Sequence, residues 1–151
     1  MSAMHTPSRP PRARMPIHAM IVPFPIVCFT LALLTDIAFW QTSNLMWQNF
    51  SAWLLFAGLV FGGIAALAGI IDAAFRLSIG GDAPAWPHAI GSLLVLVLAF
   101  VNSLVHAGDG WTAVVPMGLA LSAATVFLML VTAWLGRAVA VRSHAGVAYH
   151  D

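Results

Sequence analysis

The chain has 151 residues, of which 61% are hydrophobic and only 7% charged, against roughly 25% charged residues in a soluble domain. That length allows one domain, and a composition this apolar leaves too little polar surface to cover a water-soluble core, so the bilayer is the solvent it fits. A net charge of +1, with no lysine, excludes a basic nucleic-acid surface, and the lone Cys28 excludes an internal disulfide and any cysteine-only metal site.

Residues 1–16 are polar, proline-rich and basic, with Arg9, Arg12 and Arg14, and are expected to form a disordered cytoplasmic tail. Basic residues ahead of an apolar run also resemble a signal peptide, but the run is long and no small-x-small cleavage site follows, which favours an uncleaved anchor. Four apolar stretches follow, about Ile17–Trp40, Trp53–Phe75, Ala89–Val105 and Ala113–Leu135. Each approaches the ~20 residues that cross a hydrocarbon core, where helix is the structure that satisfies the backbone within one segment. The third is the shortest and has room to extend back to Trp86. Polar Gln41–Asn49, the Gly- and Pro-containing segment Ser78–Pro87 and the turn Gly108-Asp109-Gly110 separate them. The expected fold is therefore all-α: a four-transmembrane-helix bundle over residues 17–136, followed by a C-terminal tail over 137–151.

All six arginines precede the first span, follow the second or follow the fourth. Four spans place these regions on one side, and the positive-inside rule makes that side, with both termini, cytoplasmic. Trp40, Trp47, Trp53, Trp86, Trp111 and Trp134 fall near span ends, as interfacial belts do. The second span carries Gly58, Gly62, Gly63, Ala65, Ala66, Ala68 and Gly69, small residues that let helices approach closely. This marks it as the packed centre of the bundle or as a surface for self-association; Gly118 and Ser122 repeat the device in the fourth. The first and third spans share a faint repeat. Each opens His-Ala, at His18 and His88, and eighteen residues on stand Asp36 and His106. The second and fourth do not align convincingly.

Ionisable groups in or beside a bilayer are costly, so each is a candidate site. They sort into two layers. One holds His18, Asp72, Arg76, His88 and, after the last span, His144; the other holds Asp36, Asn102, His106 and Asp109. Eighteen residues of helix span roughly 27 Å, so a site must be built within one layer. In the first layer, two histidines on different helices have the chemistry of axial ligands for a b-type haem. Asp72 or a backbone carbonyl is then expected to hold the outer nitrogen of one ring, and Arg76 to pair with a haem propionate or with Asp72. Against this, both histidines sit near the membrane edge, where headgroups are an alternative partner. In the other layer Asp36 reads as a proton carrier or as the acceptor of a structural hydrogen bond. The prolines of Pro23-Phe24-Pro25 loosen the first turns beside His18. No phosphate loop, Ser/His/Asp set, HExxH or CxxC occurs, so the chain does not read as an enzyme on its own.

His18 with Val22-Pro23-Phe24-Pro25-Ile26 and Asp36, then Gly69-Ile70-Ile71-Asp72, then Trp86-Pro87-His88-Ala89, and the close from Trp134-Leu135-Gly136 to Arg142-Ser143-His144-Ala145-Gly146-Val147, resemble a bacterial family of four-helix inner-membrane proteins. That family is catalogued as domain of unknown function 2231, and the resemblance covers about residues 16–147. Family members often read His-Pro where this chain has His18-Ala19. The resemblance implies a multi-pass protein of the bacterial inner membrane with a cytochrome b-like bundle and redox neighbours. Three functional readings follow: a redox-associated subunit binding a b-type haem, a cofactor-free assembly partner of other membrane proteins, and a transporter of protons or a small solute.

Overall fold

The first apolar stretch breaks where its prolines fall. Proline lacks the N–H that would bond four residues back, and the chain folds as a short α1 (Ile17–Ile21), a turn at Val22 and a long α2 (Pro23–Thr42). The computed structural model describes residues 17–78, 86–108 and 114–147, and within the last segment side chains as far as Arg137; the N-terminal tail, the 79–85 and 109–113 loops and residues 148–151 lie outside the described residues. After α2 come α3 (Leu45–Ser78) and α4 (Trp86–His106). An irregular turn, Val114–Gly118, where Val115 leaves helical backbone, then leads into α5 (Leu119–Val147). No strand occurs among the described residues. Four of these elements are long and apolar enough to cross a membrane: Pro23–Thr42, Leu45–Phe75, Trp86–His106 and Val114–Arg137.

Two boundaries differ from expectation. The polar stretch Gln41–Asn49 shrinks to a two-residue link, Ser43–Asn44. Ser43 takes a left-handed backbone (φ 53°) and returns its N–H to the Phe39 carbonyl, closing α2 in the usual αL manner. Asn44 Oδ1 accepts the N–H of Met46 at 3.0 Å, so it caps the start of α3. One residue ends a helix, the next begins another, and no loop remains. At the other end, α5 runs on to Val147 through residues expected to be tail.

The helices form a ring in which α2 packs on α3, α3 on α4, α4 on α5 and α5 on α2. Phe29, Ala32, Leu55, Val95 and Ala99 make the apolar centre. Around them the interior is unusually polar, with Asp36, Ser51, Asn102, His106, Ser122, Thr125 and Thr132 buried, while Phe56, Leu67, Ile70, Ile71, Leu93 and Phe127 are exposed. This distribution suits hydrocarbon: the apolar side chains face lipid, and the helices are held by close packing and interhelical hydrogen bonds. The small residues of α3 serve that packing. Gly58 lies against the Phe29 ring and Gly62 against Leu96, so these glycines serve close packing as expected, but α3 is one member of the ring and not its centre. A Cβ at position 58 would overlap the Phe29 ring. Gly58→Ala is therefore expected to cost about 1–3 kcal/mol, as overpacking does, read as a lower midpoint of unfolding in mixed micelles; an unchanged midpoint would mean that α2 and α3 are not in this contact.

Candidate functional site

Among the described residues, His18, Asp72 and His88 lie at one end of the bundle and Asp36, Asn102 and His106 at the other, the two layers expected. At one end His18, on α1, and His88, in the first turn of α4, line the same cavity, of about 190 Å³. Within the cleft that includes its open mouth, the empty volume is about 750 Å³. The lining is otherwise almost wholly apolar. His18 Nδ1 lies 2.8 Å from the Ala65 carbonyl oxygen. A carbonyl only accepts, so Nδ1 carries the hydrogen and Nε2 of the neutral ring keeps the lone pair. His88 Nδ1 is buried and has no hydrogen-bond partner among the described residues. Each ring rests over a glycine: a Cβ would stand 3.1 Å from His18 Nδ1 at Gly69 and 3.3 Å from His88 Nδ1 at Gly136. Both rings occupy space that a larger residue would take.

The cavity is pseudo-symmetric. The shift in numbering that takes His18 to His88 also takes Val22 to Ser92, Pro25 to Val95 and Ile26 to Leu96, and all of these line it. On the second helix of each pair, another constant shift takes Gly62 to Met129, Ala65 to Thr132 and Ala66 to Ala133. It takes Gly69, under His18, to Gly136, under His88. Equivalent positions of the α2–α3 and α4–α5 hairpins, and of the turns that precede them, thus line one cavity. The repeat between the first and third spans extends to the second and fourth, which sequence comparison left unaligned. The reason is a difference in turn length: Asp36 to Ser51 spans 15 positions, whereas the equivalent His106 to Gly118 spans 12. The correspondence is one of position and not of chemistry: Gly62 answers to Met129, and Val22 and Ala65 answer to Ser92 and Thr132, so the hydroxyls belong to the His88 hairpin alone.

The second layer lies at the other end of the bundle. Asp36 and His106, themselves equivalent positions, meet with Oδ1 and Nε2 2.9 Å apart, and neither side chain reaches solvent. Ser122 donates to Asp36 Oδ2 at 2.5 Å and accepts from Asn102 Nδ2 at 2.8 Å. His106 Nδ1 donates to the Asn102 carbonyl at 3.0 Å. Beside this cluster the hydroxyls of Thr35 and Ser51 join α2 to α3 at 2.7 Å. Ser122 was visible in the sequence as a small packing residue and not as a site residue; its hydroxyl in an otherwise apolar run was the available signal.

Of the remaining candidates, Asp72 is half-buried on α3, and its Oδ2 has no partner among the described residues. It does not hold His18; the Ala65 carbonyl, the alternative raised from sequence, does. The side chains of Arg76 and His144, and all of Asp109, lie outside the described residues. Among the described residues no group of three or more His, Cys, Asp or Glu side chains could hold a metal ion.

No curated protein and no solved structure matches this chain. One family profile does, described as a predicted membrane protein family, DUF2231, and it matches residues 14–149. A match over nearly the whole length, on a bundle of four membrane-spanning helices, places the chain: it belongs to the DUF2231 family of predicted membrane proteins.

Proposed function

We propose that the protein is a redox-associated membrane subunit that binds one b-type haem in the cavity between His18 and His88. The observation that carries this reading is the cavity itself: two imidazoles from different helices, at equivalent positions of the two hairpins, line a single apolar space. Three features of the chain fit the group. His18 has its Nδ1–H engaged by a backbone carbonyl, the arrangement that fixes the tautomer and orientation of a ligating histidine. His88 presents a buried nitrogen for which the described residues offer no partner. Gly62, Ala65, Ala66 and Ala133 keep the walls low. The enclosed 190 Å³ is smaller than the ~300–1,000 Å³ usual for ligand pockets, so a macrocycle needs the mouth of the cleft as well.

When bound, a haem would supply one-electron chemistry. The protein's part is to hold the iron through His18 and His88, to keep water out with apolar walls, and to set an asymmetric environment through Ser92 and Thr132. Arg76, at the same end of α3, is the proposed partner of a propionate. The arginine distribution supports a cytoplasmic position for this end and both termini, and the family resemblance supports a bacterial inner membrane.

The test is a visible spectrum of the detergent-purified, haem-supplemented protein before and after dithionite, with His18→Ala and His88→Ala beside it. The expected result is a Soret band with sharp reduced α and β bands, lost in both variants. A flat spectrum from folded protein would overturn the haem reading and leave the cofactor-free assembly subunit in its place.

A further inference from the structure

We infer that Asp36 and His106 form a proton-binding site, holding one proton between them and exchanging it with the aqueous side on which Gly108 lies. The site is at the end of the bundle opposite the histidine cavity and stands or falls independently of the haem reading.

The proton count follows from donor and acceptor roles. His106 Nδ1 faces a carbonyl oxygen, which can only accept, so Nδ1 carries a hydrogen. Nε2 faces Asp36 Oδ1 at 2.9 Å. Two bare lone pairs do not approach to that distance, so one hydrogen lies between them. It sits either on oxygen, giving a neutral carboxylic acid and a neutral imidazole, or on nitrogen, giving carboxylate and imidazolium. Passing from one to the other breaks an O–H bond, makes an N–H bond and leaves the net charge at zero. Ser122 cannot supply this hydrogen, because its own goes to Oδ2 while it accepts from Asn102.

Asp109 lies outside the described residues; among those described, the polar side chains bonded to the pair or next to it in the chain are Ser122 on α5, Asn102 on α4, and Thr35 on α2 with its partner Ser51 on α3. No second ionisable side chain touches it among them. A lone carboxylate here would be an uncompensated charge away from water, which is costly, and the shared proton removes it. Exchange has a route. His106 is the last residue of α4, and the next two residues, Ala107 and Gly108, are exposed. Asn102 Oδ1, fully buried, has no donor among the described residues, so a water molecule arriving there finds an acceptor next to the pair.

The experiment is nitrogen NMR of ring-labelled histidine, with infrared difference spectroscopy across H₂O and D₂O, on the protein in lipid at neutral pH. Asp36→Asn serves as reference. It is isosteric, its amide can donate to Nε2 and its carbonyl can accept from Ser122, so the fold is retained while the exchangeable proton is lost. The expected result is either a carboxylic-acid band or an imidazolium signal. It shifts on transfer to D₂O and is absent from Asp36→Asn. A neutral His106 beside an ionised Asp36 would overturn the proton count. A signal that persists unshifted in D₂O would overturn the exchange.

Discussion

Asp36→Ala is expected to destabilise the bundle by about 2–4 kcal/mol, and Asp36→Asn by less than about 1 kcal/mol. The difference lies in what each leaves behind. Alanine removes the partner of His106 Nε2 and the acceptor of the Ser122 hydroxyl together, and both groups are buried with no water to replace it. Interhelical hydrogen bonds inside membranes are individually modest, about 0.6 kcal/mol on average and at most about 1.7, so two lost bonds alone would give about 1.2 kcal/mol, short of the range. The rest comes from the burial of unpaired polar groups, which costs more than the bonds were worth. Asparagine keeps both contacts and gives up only the proton. Unfolding midpoints in mixed micelles measure this, and a double-mutant cycle with His106→Ala isolates the pair. Because Asp36→Ala already abolishes the contact, adding His106→Ala should cost little more. Full additivity of the two single effects would mean that the side chains do not interact.

Much of this architecture was legible from composition. Few charges, four runs of sufficient length and arginines confined to one side leave little freedom beyond a four-span bundle. The boundary of α3 was not legible, because Ser43 and Asn44 look like part of a longer polar loop; only the backbone shows that they close one helix and cap the next. The grouping of candidate residues into two layers needed nothing more than the rise of a helix, and it placed Asp36, Asn102 and His106 together correctly. What the sequence did not disclose was facing. That Asp36 meets His106, and that His18 and His88 share one cavity, depends on how two hairpins pack together, and few residues record their correspondence. His18 and His88 do, and so do Gly69 and Gly136. Asp36 and His106 obscure it, since a complementary pair in symmetric positions requires different residues.

The largest expected effect on ligand binding that spares both histidines belongs to Ala66→Phe. Ala66 lines the cavity midway along α3, and its Cβ is where a larger side chain would begin to fill it. An apolar cavity of about 150 Å³ is enough to hold benzene, so a phenyl ring carried by residue 66 would take up most of the 190 Å³ available. The imidazoles of His18 and His88, the Ala65 carbonyl and the two supporting glycines all remain. Filling an apolar void restores dispersion contacts that its walls lack, so the unfolding midpoint should hold or rise while haem uptake falls at least tenfold. Ala133→Phe, at the equivalent position on α5, should do the same. These variants separate a cavity ligand from a surface one in a way that histidine replacement does not, since a histidine can bind haem adventitiously wherever it is accessible. Haem bound to wild-type extent in both phenylalanine variants, with elution volume and helicity unchanged, would place the haem outside this cavity even if His18→Ala abolished the spectrum.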